Sequence, residues 1–190
     1  GRGSPAENHH VGPMHIEYAP VPFAPDVEAG KKLIEESGFA DHEFELISVD
    51  DDWRRNTTDA VAAQMRDAGL NVKRTIIPGA TYWNDWTKYP FSSTNWNARP
   101  LGVMVLALAY RSGEAWNEAG YSNPDLDAKI AQALTIADAD QRRSVMEEIQ
   151  KIIQDSGIII QPYWRKLYNS SMPSVKNHGM HPTFEHEYGK

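Results

Sequence analysis

Residues 44–77, FELISVDDDWRRNTTDAVAAQMRDAGLNVKRTII, carry the pattern that decides the fold class. Segments 44–49 and 71–77 are rich in β-branched and other apolar side chains, as is typical of buried strands. Between them, apolar residues recur at helical spacing from Asn56 or Thr57 onward. A strand, a helix and a second strand in one sheet call for a right-handed parallel crossover, so we predict an α/β fold.

The chain before this unit contains two different patterns. Residues 1–25 hold eight glycines and prolines, a density that disfavours regular helix, so we predict an extended surface arm. Asp26 can then cap a helix that runs to Ser37 and ends at Gly38. The apolar side chains that we expect this helix to turn toward the core are Val27, Leu33 and Ile34.

The chain after the unit predicts mainly helices. Thr81 can cap a short aromatic helix that ends near Lys88, and residues 91–96 favour a strand. Pro100 is placed as the first residue of an apolar helix over residues 101–110.

Two capped helices and a strand follow. Asn123 and Pro124 mark the start of one helix, and Asp138 or Asp140 opens the next, which Gly157 ends. The side chains expected on the buried faces are Leu126, Ile130, Leu134, Val145, Ile149, Ile152 and Ile153. Residues 158–160, followed by residues 161–164, then predict a buried strand that runs out to an aromatic end, and residues 167–171 could pair beside it.

The composition narrows the classes of function. Of the 190 residues, 41% are hydrophobic and 24% are charged, which is typical of a folded globular domain. The net charge of −7 argues against a nucleic-acid surface, and the longest apolar run, residues 102–110, is far shorter than the roughly 20 residues of a membrane-spanning helix. The absence of cysteine excludes disulfides, thiolate catalysis and cysteine-based zinc sites.

Five short motifs follow one another in an order that is specific in combination. Residues 27–34, after the glycine- and proline-rich opening, are similar to a D-x-x-x-A-K-x-L-L helix, with Gly30 in place of alanine. Residues 63–72 are similar to Q-L-x-x-x-G-I-x-V. The other three matches lie at residues 121–127, 139–150 and 158–164. By these motifs the chain resembles the extracellular solute-binding protein family 5, the dipeptide- and oligopeptide-binding type of ABC importers.

This resemblance implies a periplasmic-binding-protein-like (type 2) fold with two lobes that close over a solute, and a mixed sheet flanked by helices. We expect residues 26–171 to form an α/β ligand-binding lobe, with residues 1–25 as the arm. Residues 172–190 would return toward the first lobe. Because the family's first lobe and the helix before the opening loop are not represented, we expect the chain to be a truncation or cleavage product.

The resemblance also implies a function, a location and partners. We expect non-catalytic capture of a small-molecule or peptide-like ligand in the periplasm, with a signal peptide not present in this chain. The expected partners are the transmembrane subunits of an ABC permease and the first lobe of the same protein, and not nucleic acid. Two alternatives stay open: an α/β hydrolase- or transferase-like enzyme domain, and an interaction module that docks through the helix over residues 101–110.

Aromatic, amide and guanidinium groups form the candidate ligand-binding set. Aromatic faces supply apolar contact area, while amides and guanidinium groups supply directional hydrogen bonds. The candidates are Tyr82, Trp83, Trp96, Asn97, Arg99, Tyr110, Arg111, Trp116 and Asn117. The aromatic residues are equally typical of a core, and Tyr110 and Arg111 of a helix end; the resemblance favours the cleft for residues 96–99.

One departure from the family bears on the ligand. The resemblance implies an aspartate shortly after the aromatic residue at this point, where peptide-binding members pair it with the peptide's ammonium group. This sequence has Asn97, Ala98 and Arg99 instead. A guanidinium group favours a carboxylate, a phosphate or a polar neutral group and repels an ammonium. We therefore hypothesise that the ligand is not an ordinary dipeptide.

No pattern in the sequence indicates a metal, a cofactor or a catalytic residue. The seven histidines lack the i, i+4 helical spacing with a neighbouring acid that zinc hydrolases use. The run of aspartates at residues 50–52 lacks the glycine and the distal glutamate of a calcium loop. No serine-histidine-aspartate order, phosphate-binding loop or dinucleotide glycine pattern is visible.

Overall fold

The computed structural model describes residues 3–168, 170–176, 179 and 181. The chain forms two compact units: unit 1 combines Gly1–Pro22 with Trp96–Lys190, and unit 2 is Phe23–Asn95. These boundaries differ from the expected arm, lobe and tail, because the amino-terminal segment belongs to the same unit as residues 96–171.

The described elements alternate between strands and helices in unit 2 and are mainly helical in unit 1. In chain order they are β1 (Gly3–Pro5), α1 (Val27–Ser37), β2 (Glu43–Val49), α2 (Asp52–Asp67), β3 (Asn71–Ile77), α3 (Gly79–Asp85), β4 (Ser92–Ser93), α4 (Gly102–Ala109), α5 (Pro124–Thr135), α6 (Ala139–Ser156) and β5 (Tyr163–Arg165).

The three-stranded sheet of unit 2 confirms the predicted α/β class. Its strand order is β3-β2-β4, and both outer strands run parallel to β2, with Glu43 opposite Asn71 and Val49 opposite Ile77. The strand expected over residues 91–96 shortens to β4. Among the described residues, the antiparallel pairing is that of β1 with β5, which form a separate sheet in unit 1. Parallel and antiparallel pairing therefore both occur, as in the expected mixed sheet, but in two different sheets.

Helix α2 begins one turn earlier than the sequence predicts. Asp51, in extended conformation, accepts a hydrogen bond from the Arg54 amide, which caps the helix before Asn56 is reached. The helix packs on β2 and β3, where Ala62 joins Leu46 and Val72 in a small core.

Helix α1 has the predicted ends but not the predicted buried face. Asp26 accepts from the Ala29 amide at 2.9 Å, and Gly38 ends the helix in left-handed conformation, with φ 77°. Val27 and Leu33 are 51% and 66% exposed, and no residue of the helix is buried. Helical spacing defines an apolar face without showing whether another element covers it.

Helix α3 also begins before its predicted cap. It starts at Gly79 after Pro78, and no side chain caps it, so Thr81 is an interior residue. The helix ends at Asp85 rather than near Lys88.

The core of unit 1 is built by α4, α5 and α6. Helix α4 starts at Gly102, so Pro100 precedes the helix instead of opening it. The α5 cap is as predicted, since Asn123 accepts from the Asp125 and Leu126 amides, and Asp138 caps α6. The fully buried members of this core are Val11, Leu106, Leu126, Ile130, Ala133, Met146, Ile149 and Ile153.

One predicted core position in α5 is wrong. Leu134 is 48% exposed, and the neighbouring Ala133 is buried in its place. Adjacent helical residues differ by about 100° around the helix axis, so the pattern of three leucine and isoleucine residues placed the buried face slightly off its true centre. Ile152 of α6 is partly buried.

The amino-terminal segment is not a surface arm. His9, Val11 and Glu17 have no exposed surface, and Ala19 and Val21 are nearly buried. A Cβ on Gly102 would lie 2.7 Å from Val11 Cγ1, so glycine permits the close approach of α4 to this segment.

Hydrogen bonds from α6 complete the burial of this segment. The Gln150 side chain accepts from the Ala19 amide and donates to the Ala19 carbonyl, and Gln154 donates to the carbonyls of Glu7 and Val21. Loop backbone can be buried here because side chains satisfy its polar groups.

The carboxyl-terminal strand forms only at the later, aromatic end of the predicted one. Residues 158–160 form no strand, and Ile160 is exposed; β5 instead pairs antiparallel with β1, Gly3 opposite Arg165. The described part of residues 167–171 is likewise outside the strands, and most of residues 172–190 lie outside the described residues. No helix within the described ranges has the length and apolar character needed to cross a membrane.

Candidate functional site

The parallel sheet of unit 2 creates one edge at which three strands end. Because β2, β3 and β4 run in the same direction, the residues that follow Val49, Ile77 and Ser93 lie at the same edge. Open α/β sheets bind their ligands outside the carboxyl ends of such strands. This edge is therefore the first candidate surface.

Arg54 is fixed at this edge by four contacts. Its Nη1 donates to Asp51 Oδ2 at 2.6 Å, and its Nε donates to Asn95 Oδ1 at 2.7 Å. Its guanidinium carbon lies 4.7 Å from the centre of the Trp53 ring and 5.5 Å from that of Trp83. Cation–π contacts and charge-assisted hydrogen bonds together hold the guanidinium plane in one orientation.

Of the four residues that meet at this edge, Trp53, Arg54, Trp83 and Asn95, the sequence analysis predicted only Trp83 as a ligand contact. Trp83 is 41% exposed, so part of its ring remains open to a solute. Arg54, Trp53 and Asn95 were missed. The position of Trp53 and Arg54 just after the predicted strand over residues 44–49 is a signal that could have found them, whereas Asn95 falls inside the predicted strand over residues 91–96. Since the Arg54 charge is neutralised by Asp51, the group offers an aromatic and amide surface more than a free cation.

Tyr82, predicted as a ligand contact, is a core residue in this structure. Its side chain has no exposed surface, its ring stacks on Tyr89 at 5.4 Å, and its hydroxyl donates to the Ser93 carbonyl at 2.9 Å. It packs with Ile47 and Val49 beneath the sheet edge. Its apolar ring and its hydroxyl are both used internally.

Four aromatic rings of unit 1 form the second candidate surface. Trp96 meets Trp116 edge-on at 5.8 Å between ring centres and His10 at 5.6 Å. The His10 ring also meets Tyr110 at 5.7 Å, and His10 Nδ1 lies 3.0 Å from the Tyr110 hydroxyl. We call these four residues the aromatic cluster.

The outer part of the aromatic cluster is open. Trp116 is 47% exposed and Trp96 is half-buried, with its indole N–H donating to Glu118 Oε1 at 2.8 Å. Asn97 is exposed. Within the described residues, the partly exposed Arg99 side chain forms neither a hydrogen bond nor an ion pair.

Three other predicted contacts are engaged within unit 1. Tyr110 is 4% exposed and belongs to the core, and Arg111 is paired with Glu114. The Asn117 amide donates to the carbonyls of Arg111 and Tyr121 and accepts from the Tyr121 amide. These hydrogen bonds stabilise the loop after α4, which is the helix-end role that the sequence left open.

Three histidines of the predicted amino-terminal arm pack inside unit 1: His9 and His15 are buried, and His10 is partly buried. Burial, together with smaller contributions from repulsion by the nearby His15 and His9, lowers the pKa of His10 to about 4. Burial also lowers the pKa of His9 and of His15, against the opposing attraction of Glu7 and Glu17. Burial raises the pKa of Tyr110, which therefore stays protonated beside His10.

These shifts predict acid sensitivity. Above pH 6.5, His10 is neutral in both the folded and the unfolded chain, whereas between pH 6.5 and about 4 only the unfolded chain binds a proton. The free energy of unfolding should therefore fall as the pH drops through this window, as measured by urea denaturation at each pH. His10→Asn should flatten the slope, because asparagine tolerates the φ of 62° and does not titrate. An unchanged slope in this variant would contradict the assignment.

Comparisons with known proteins match the chain to binding proteins over part of their length. The chain is 24% identical over 175 residues to the probable deoxycholate-binding periplasmic protein YgiS of Escherichia coli K12, covering 89% of this chain and 33% of the relative. No protein-family model matches it.

Solved structures show a closer correspondence in fold. The Escherichia coli murein tripeptide binding protein MppA matches with a TM-score of 0.73 at 19% identity, over 82% of this chain and 33% of that one. The ABC transporter-associated periplasmic binding protein DppA from Helicobacter pylori, in complex with the peptide STSA, matches with a TM-score of 0.70 at 18% identity, over 83% and 32%. The chain has the fold of the family 5 solute-binding proteins. It spans about a third of the length of these relatives.

In this solute-binding fold, the nine predicted contacts are divided between the units. Tyr82 and Trp83 belong to unit 2, and the other seven belong to unit 1. Surface placement supports Trp83, Trp96, Asn97, Arg99 and Trp116, while a ligand role for each stays a prediction. Within the described ranges, no three histidine, aspartate or glutamate side chains come together as a metal site.

Proposed function

We propose that the chain is part of a periplasmic protein that captures a solute for an ABC importer without changing it chemically. The observation that carries this proposal is the solute-binding fold together with open aromatic and guanidinium groups at Trp96, Trp116 and Arg99. Such groups bind a small molecule by stacking and directional hydrogen bonds.

The chemistry of the two candidate surfaces supports binding more than catalysis. Their exposed groups are mainly indole rings, amides and a guanidinium group, and the partly exposed carboxylates of Asp51 and Glu118 are engaged by Arg54 and by the Trp96 indole N–H. The histidines nearest the aromatic cluster are enclosed and engaged with Tyr110 and with backbone groups. The described residues at these surfaces therefore favour solute binding over hydrolase or transferase chemistry.

The proposed ligand is an organic carboxylate with an apolar body. Arg99 stands where the family resemblance implies an aspartate, and its guanidinium group is matched to a carboxylate. The open faces of Trp96 and Trp116 suit an apolar body. The name of YgiS refers to deoxycholate, a steroid carboxylate, and that compound is the first ligand to test.

We also propose the partners and the lobe assignment that the family resemblance implies. Residues 26–171 would contribute to a ligand-binding lobe together with the amino-terminal segment that packs on α4 and α6, and residues 172–190 would run toward the first lobe. The relatives are about three times as long, so the remaining length is expected to supply that lobe. The closed protein would dock on the transmembrane subunits of an ABC permease.

Arg99→Met tests the function and the ligand class together. In calorimetric titrations, the 190-residue chain should bind deoxycholate weakly, because many contacts of a two-lobed protein are missing. The Arg99→Met variant should bind it about tenfold more weakly, since a charge-assisted hydrogen bond contributes about 1.5–3 kcal/mol and this site is partly exposed.

Lys32→Met is the matched control, because it removes one positive charge from the exposed face of α1. It should leave deoxycholate binding unchanged. Tight binding of dialanine with its free ammonium group would contradict the proposed ligand class. Nanomolar binding by the chain alone would contradict the part-protein proposal, and conversion of the titrated compound, seen by mass spectrometry, would favour the enzyme alternative.

A further inference from the structure

The buried amino-terminal segment contacts the backbone of the proposed ligand-binding stretch. His15 Nδ1 accepts a hydrogen bond from the Gly12 amide at 2.9 Å. This bond fixes the tautomer, so the proton lies on Nε2, which is 3.2 Å from the Arg99 carbonyl oxygen and donates to it. The imidazole thus sets the direction of the peptide group that follows Arg99.

His10 contacts the same stretch at its other end. Its ring meets the Trp96 indole at 86°, with 5.6 Å between the ring centres. The His10 backbone has a φ of 62°, and its amide donates to Gln161 Oε1 at 3.1 Å. A residue other than glycine rarely adopts this left-handed backbone conformation by itself, so the surrounding contacts hold His10 in place.

Glu17 holds the chain just beyond the stretch. Its Oε1 accepts from the Val103 amide at 3.1 Å, and Leu101, the residue before α4, provides no side-chain cap. Glu17 therefore performs the capping role from a distant part of the sequence. Three side chains of one segment thus contact Trp96, Arg99 and Val103 in succession.

We propose that His15 and His10 are positioning residues that hold Trp96 and Arg99 in the conformation that binds the solute. This inference rests on the proposed function, since it assigns a role to the same surface. The hydrogen bond to the Arg99 carbonyl distinguishes the role from simple filling of a core. An apolar side chain of equal size would fill the space but would leave this carbonyl undirected.

The test compares His15→Ala with His15→Gln. Alanine removes the donor to the Arg99 carbonyl, whereas the glutamine amide can place an N–H near the position of Nε2. In deoxycholate titrations, His15→Ala should bind roughly three- to tenfold more weakly, as expected for the loss of one hydrogen bond, and His15→Gln should restore most of the affinity. His42→Ala, in unit 2, should bind like the parent chain.

A second measurement does not depend on binding. The indole N–H signal of Trp96, assigned by its loss in Trp96→Phe, should shift in His15→Ala and in His10→Asn but not in His42→Ala. If the parent chain binds no deoxycholate while these shifts are seen, the proposed ligand fails and the positioning role is supported. If His15→Ala keeps the parent affinity and the parent indole signal, the positioning role is overturned, and a shift that His15→Gln does not reverse overturns it as well.

Discussion

Glu17→Ala is expected to lower the free energy of unfolding of the chain by about 3 kcal/mol, the low end of the range for breaking a buried ion pair. The Glu17 carboxylate has no exposed surface, and Arg142 Nη1 lies 3.8 Å from its Oε1. Removal of the carboxylate leaves the Arg142 charge without its counter-charge and the Val103 amide without its acceptor. Arg142 also donates to the carbonyls of Ile136 and Ala137, which places the expected loss at the low end.

Urea denaturation of two further variants separates the charge from the cap. Glu17→Gln keeps an acceptor for Val103 but removes the counter-charge, so its loss should be smaller than that of alanine. Asp140→Ala breaks the exposed pair with Arg143 on the same helix and should change the stability little. A Glu17→Ala variant as stable as the parent chain would refute the buried pair.

Local signals in the sequence account for what was predicted correctly. The helix caps at Asp26, Asn123 and Asp138 depend on contacts within three residues, and all three form as expected. The parallel pairing of β2 and β3 follows from the length of the helical connection between them. Parallel neighbours need such a long crossover, whereas antiparallel neighbours can be joined by a tight turn. These features need no knowledge of the rest of the chain.

Contacts between distant parts of the chain account for the principal error in the fold. Glycine and proline density correctly excluded helix from residues 3–25, but it says nothing about burial. That burial depends on Gln150 and Gln154 of α6, which satisfy backbone groups more than 130 residues away in the chain. The apolar face of α1 shows the opposite error, since Leu33 has the right spacing and no cover.

The candidate site was predictable in composition more than in geometry. The sequence selected Trp96, Arg99 and Trp116, which the structure leaves partly exposed. It also selected Tyr82 and Tyr110, because an aromatic residue with a hydroxyl is equally suited to a cleft and to a core in which the hydroxyl finds a partner. Only the position of the partner decides between the two, and the partners of Tyr82 and Tyr110 lie 11 and 100 residues away in the sequence.

Ile130→Ala is expected to lower the free energy of unfolding by about 2–5 kcal/mol, the range for truncating a fully buried isoleucine. Ile130 has no exposed surface and lies in the core that α5 shares with α4 and α6. The lost methyl and methylene groups leave a cavity that the surrounding helices can close only in part, because protein interiors are close-packed.

Leu134→Ala, one helical turn later, is the matched control for this prediction. Leu134 is 48% exposed, so its truncation should change the stability by less than about 0.5 kcal/mol, as for surface substitutions in general. The sequence pattern alone assigns the two positions to one buried face and predicts similar losses. The two expected values differ only because Ile130 is buried and Leu134 is half exposed. Equal losses in the free energy of unfolding, measured by urea denaturation, would therefore support the sequence pattern and contradict the structure.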